Sequence, residues 1–153
     1  MSSDNHTRSA HRASAGIRPY SATILVACGT ILVGLGLYFF MMRPPLLPED
    51  ARYAGATLDK LQVAAPNIAL WLRKVFWVLG GYIVATGILT SYIAMTSFRH
   101  RAPGSIIAIT IGGIASIGSM TVVNFLINSD FKWPIVGITA LWATALVLYW
   151  RRV

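Results

Sequence analysis

Ionisable side chains are scarce in this sequence. Asp, Glu, Lys and Arg make up 12% of its 153 residues, against about 25% in an ordinary soluble domain. Too few polar groups remain to cover a soluble surface, and a mean hydropathy of +0.62 points the same way. Acids are the scarcest, 5 against 13 Lys and Arg. Cysteine occurs once, at Cys28, which excludes an internal disulfide and any thiol–disulfide relay. The histidines His6, His11 and His100 all lie outside the long apolar runs, so no haem can be held between two membrane-embedded imidazoles. There is no metal-ligand cluster, no G-x-S-x-G, no P-loop and no H-E-x-x-H. Glu49, Asp50 and Asp59 are ordinary acids for a short interfacial loop. The chain is therefore expected to be a non-enzyme without cofactor or metal. Its composition also excludes a disordered chain and a disulfide scaffold.

Four long apolar runs are present, over 21–42, 75–98, 105–127 and 134–150. Each approaches the roughly 20 residues a helix needs to cross the hydrocarbon core. The runs are continuously apolar, without the alternation of a lipid-facing strand, so helices are expected. Their ends carry interface markers. Tyr20 precedes the first run, Trp71 and Trp77 bracket the start of the second, and Trp133 opens the fourth. Tyr149, Trp150, Arg151 and Arg152 close it. Pro134 suits a first helical turn, and Pro103-Gly104 breaks the chain between the second and third runs. The expected fold is all-α, a four-transmembrane-helix bundle over 21–153 behind a disordered basic tail, 1–20.

The net charge is +8. No basic run exceeds a pair (Arg73-Lys74, Arg151-Arg152), so these bases suit anionic lipid headgroups and not nucleic acid. Arg8, Arg12, Arg18, Arg99, Arg101, Arg151 and Arg152 fall on the side of the termini. Arg43, Arg52, Lys60, Arg73, Lys74 and Lys132 fall on the other. Seven against six is nearly even, but Arg18, Arg99, Arg101, Arg151 and Arg152 lie tight against the runs, so both termini are expected in the cytoplasm. Residues 43–74 then face the exterior of a bacterial inner membrane. Leu25-Val26-Ala27-Cys28 resembles a bacterial lipobox, but the apolar run continues beyond the cysteine. An uncleaved span with Cys28 as a small buried residue is the preferred reading.

The 43–74 segment is expected to hold short helices. Pro48-Glu49-Asp50 reads as a first turn and Gly55 as its end, Thr57 as the N-cap of 58–64, and Pro66 as the start of a helix running into the second span. Glu49, Asp50, Arg52 and Tyr53 make it a candidate docking surface or lid. The alternative is a loop that only seals helix ends. Gly80, Gly81, Ala85 and Gly87 on span two, and Ala108, Gly112 and Ser116 on span three, are candidate packing faces, because small residues let helix backbones approach. Gly113 adds to the second group. Asn124 and Asn128 lie one turn apart with Asp130 and Lys132 following, a candidate polar contact under the 43–74 segment.

No Asp, Glu, Lys, Arg or His lies inside a span. A small multidrug-resistance-type exporter, which relies on a membrane-embedded Glu in its first span, is therefore disfavoured. The layout resembles that of the uncharacterised small four-helix integral membrane proteins of bacteria, through Leu47-Pro48-Glu49-Asp50-Ala51-Arg52-Tyr53-Ala54-Gly55, Asn124-Phe125 and Ser129-Asp130. The resemblance implies no activity. The first functional expectation is a non-catalytic accessory or structural subunit, partnered by the lipid bilayer and by other membrane-protein subunits or further copies of itself. The alternative is a small carrier or channel for a neutral or lipid-like solute, using Asn124 and Asn128. A sensor whose 43–74 segment binds a ligand is the third.

Overall fold

The computed structural model describes residues 20–151. The expectation for 1–19 lies outside the described residues. The described chain is all helical: α1 (Tyr20–Met41), α2 (Pro48–Tyr53), α3 (Leu58–Ala64), α4 (Ile68–Ile93), α5 (Ser105–Gly113), α6 (Ser119–Leu126) and α7 (Lys132–Trp150). Wider π turns at Ala94–Phe98 and Ile114–Gly118 extend α4 and join α5 to α6. Four helices, Tyr20–Met41, Ile68–Phe98, Ser105–Leu126 and Lys132–Trp150, are long and apolar enough to cross a membrane. Their outer faces expose large apolar side chains such as Leu37, Val78, Leu89, Ile111, Val122 and Val147. A soluble monomer rarely tolerates so much contiguous apolar surface.

The second helix starts at Ile68, earlier than the apolar run at 75. Its 31 residues would extend about 46 Å at about 1.5 Å per residue, more than the roughly 30 Å of hydrocarbon. The excess lies at its start, where Arg73 and Lys74 sit over the Trp77 ring, Lys74 Nζ at 4.1 Å. The short helices stand where their cap residues put them. The Thr57 hydroxyl accepts the Lys60 N–H at 3.3 Å. The Asp50 carboxylate accepts the Leu47 N–H at 2.9 Å at the start of α2. Gly55, at φ +69°, ends it.

Antiparallel packing of α1 on α4 dominates the bundle. Two glycine pairs make it close. A Cβ on Gly36 would lie 2.7 Å from the Gly80 carbonyl oxygen, and one on Gly87 would lie 2.5 Å from that of Gly29. Backbones this near gain dispersion and Cα–H···O contact, a main source of helix association in lipid. α7 packs on the other side of α1. There Cys28 is fully buried, its Sγ 4.0 Å from the Ile138 carbonyl oxygen. Of the third span's glycines, only Gly113 lies against another helix, at the Trp142 indole of α7. The Thr121 and Thr139 hydroxyls, 2.6 Å apart, bridge α6 to α7.

Candidate functional site

A cleft of about 620 Å³ separates the α1/α4 pair from the α6/α7 pair. That volume lies within the roughly 300–1,000 Å³ typical of small-molecule sites. It exists because α4 and α6 do not pack along one another. Its walls are apolar: Leu32, Leu35 and Phe39 from α1, Ile83 from α4, Met120 from α6 and Ile138 from α7. Tyr82, Ser119 and Val123 also line it and are exposed, so the cleft opens sideways between α4 and α6.

The π turn shapes one wall. Ala115, Ser116 and Ile117 belong to it and line the cleft. A π turn loosens the carbonyl ladder, and an apolar surround offers no water to compensate. Hydroxyls supply the compensation. Ser116 donates to the Gly112 carbonyl at 2.6 Å, Ser119 to Ala115 at 2.7 Å and Thr121 to Ile117 at 2.9 Å.

A polar cluster closes one end. The chain leaves α1 at Met41, and the Met42 and Arg43 N–H groups both donate to the Tyr38 carbonyl. Arg43 turns back over the bundle. Its guanidinium lies 3.6 Å from the Asp50 carboxylate and 3.6 Å from the Phe76 ring centroid, and it donates to the Pro44 carbonyl at 3.1 Å. Burial pulls the guanidinium down from its ordinary value, while Asp50, Tyr38 and Glu49 pull it back up. Glu49 is 4% exposed. Its carboxylate accepts from the Ser129 hydroxyl at 3.5 Å. The same hydroxyl oxygen accepts the Phe131 N–H at 3.1 Å. Arg43, Glu49, Asp50, Asn124 and Ser129 all line the cleft.

The residues singled out from sequence divide between this site and elsewhere. Glu49 and Asp50 face into the cleft end and are not an outward docking surface, because Pro44, Pro45 and Pro48 route the segment across the helix ends. Arg52 and Tyr53 do face outward, and Arg52 makes an exposed 3.8 Å ion pair with Asp130. Asn124 is in the cleft, its amide nitrogen donating to the Met120 carbonyl at 2.9 Å. Asn128 and Asp130 are exposed and outside it. Asn128, at φ +50°, is the left-handed residue ending α6. Its side chain accepts from Lys132 Nζ.

Of the packing candidates, Gly80 and Gly87 carry the α1–α4 contact. Gly81, Ala85, Ala108 and Gly112 are exposed, and nothing lies within 4 Å of a Cβ built on Gly81 or Gly112. The π turn breaks the 108–112–116 register, so Ser116 rotates to the cleft while the other two stay outside. Sequence reasoning missed Arg43, Ser129, Gly29 and Gly36. A signal existed for the glycines, whose seven-residue spacing matches that of Gly80 and Gly87. Neither a known protein family nor a curated protein nor a solved structure matches this chain.

Proposed function

We propose that this chain is a multi-pass membrane protein that takes up an amphiphilic, lipid-like solute in the cleft between its helix pairs, as a small carrier or binding protein. The observation that carries this reading is the cleft itself: about 620 Å³, apolar along its length, open sideways, with a buried polar cluster at one end. Such a shape matches a molecule with an apolar body and a polar head, and its mouth admits that molecule from within a bilayer. The protein belongs in a bacterial inner membrane with both termini in the cytoplasm. The exposed Arg99, Arg101 and Arg151 at that end support this placement.

Native mass spectrometry of protein extracted in mild detergent is the test. The wild type should retain an amphiphile of constant mass. Thr86→Trp, which fills the cleft from α4, should lose it while keeping the fold. A wild type that carries nothing, or a filled variant that binds equally well, would overturn the reading. A second reading, an accessory subunit of a larger assembly, is favoured by the exposed Ala108 and Gly112 on α5. It expects a stoichiometric partner in the same extract, released by Gly112→Leu; a lone chain would count against it.

A further inference from the structure

The cleft's polar end is unbalanced in charge. Arg43 is the only base among the residues that line it, and Glu49 and Asp50 are its two acids. The Arg43 charge is engaged first with Asp50 at 3.6 Å, the Pro44 carbonyl and the face of Phe76, and acts on Glu49 only from beyond ion-pair distance. Among the described residues no Lys or Arg nitrogen comes within 4.0 Å of Glu49. Its one hydrogen bond, from Ser129 at 3.5 Å, is long for a hydroxyl on a carboxylate, where about 2.5–2.7 Å is usual. The residue is 4% exposed, and what accessible surface its carboxylate keeps faces the cleft. A buried carboxylate left this way is costly unless a cation or further donors reach it. The other polar groups at that end point to the same kind of partner. Asn124 uses one amide N–H on the Met120 carbonyl, which leaves its oxygen able to accept from an ammonium and its second N–H able to donate. Tyr38, Phe39 and Phe76 line the same end, and the Arg43 guanidinium already sits over the Phe39 and Phe76 rings, which shows that this end accommodates a cation.

We infer that the solute is a cationic amphiphile: an amine or ammonium head on the Glu49 carboxylate, with its apolar body lying between α1/α4 and α6/α7. This rests on the amphiphile reading above and adds the sign of the head. An anion would be repelled by the surplus carboxylate; a neutral head could donate a hydrogen bond to it but would leave its charge unbalanced. Glu49 is brought to the bundle from the loop after α1, so a chain with no acid inside its spans nonetheless presents one to their interior.

The test uses purified full-length protein in one neutral detergent. Tetradecylammonium, tetradecanol and tetradecyl sulfate are titrated separately, with bound mass read by native mass spectrometry. The wild type should bind the ammonium at least about tenfold more tightly than the other two, the scale of a single close charge pair. E49Q, nearly the same shape, should lose that preference, binding the ammonium no more tightly than tetradecanol. Equal binding of all three probes by the wild type would overturn the inference and leave the amphiphile reading standing, as would an ammonium affinity that E49Q does not alter. Binding of none of them by folded wild type would overturn both. The three-probe comparison on the wild type decides the matter even where E49Q does not fold.

Discussion

At the scale of single residues, Arg43 holds the polar end together. It is the counter-charge for Asp50 and the nearest cation to Glu49, and it covers Phe76 with its flat face. Replacing it by Leu would leave two carboxylates facing an apolar cleft with no base. The expected cost is about 2 kcal/mol of stability, within the range for stripping one partner from a partly buried pair. Adding Asp50→Asn to Arg43→Leu should restore part of it, because the orphaned charge is removed as well. Thermal unfolding in detergent measures both, and equal losses in the single and double variants would show that the pair is not coupled. Little of this is legible in the sequence, where Arg43 is simply the first base after an apolar run. Only the turn back over the helix end, forced by Pro44, Pro45 and Pro48, gives it a role. Asn128 shows the opposite case. It reads as a polar contact beside Asn124, but its left-handed backbone makes it the residue that stops α6, and its side chain follows the backbone outward.

At the scale of elements, two glycine pairs set the α1–α4 distance, and the rest of the bundle is arranged around that pair. Gly80→Val would drive a side chain into the Gly36 carbonyl, and Gly87→Val into that of Gly29. Backbone cannot move aside as a side-chain tip can, so each should cost at least about 1–3 kcal/mol, the usual penalty for overpacking. Gly81→Ala and Gly112→Ala meet open space. They should be neutral or stabilising by up to about 1 kcal/mol, from helix propensity alone. Thermal unfolding of the four variants separates the two classes, and similar behaviour of all four would remove the glycine contacts from the account. Half of this interface was visible in the sequence, through Gly80 and Gly87. The other half, Gly29 and Gly36, was missed although it repeats at the same seven residues as Gly80 and Gly87. The π turn was not legible at all. It depends on three hydroxyls meeting three carbonyls and on the space Gly113 leaves for Trp142, and it redirects every residue after it.

At the scale of the whole molecule, the helices were readable because bilayer thickness and backbone satisfaction together leave little else for uninterrupted apolar runs to form. The cleft was not, since it comes from two helices failing to meet. The direction in which the molecule sits is the remaining global property, and the structure adds to what counting bases gives. All four acids among the described residues, Glu49, Asp50, Asp59 and Asp130, gather at the end formed by 43–67 and 127–131, and two of them pair with bases there. At the opposite end Arg99, Arg101 and Arg151 stand with no acid among the described residues. Arg101 also ties that end together, donating to the Tyr149 carbonyl at 3.0 Å at the close of α7. Bases close to helix ends favour the cytoplasmic side, and the proposed orientation rests on that rule. Cys28 is fully buried, so a single cysteine placed elsewhere is the reactive one. Lys60→Cys, on exposed α3, should react with a membrane-impermeant maleimide in intact cells, and Arg99→Cys only after the membrane is permeabilised. The reverse pattern would invert the molecule, moving the polar end of the cleft to the cytoplasmic face. Labelling of both from outside would mean that the Ile68–Phe98 helix between them does not cross the membrane.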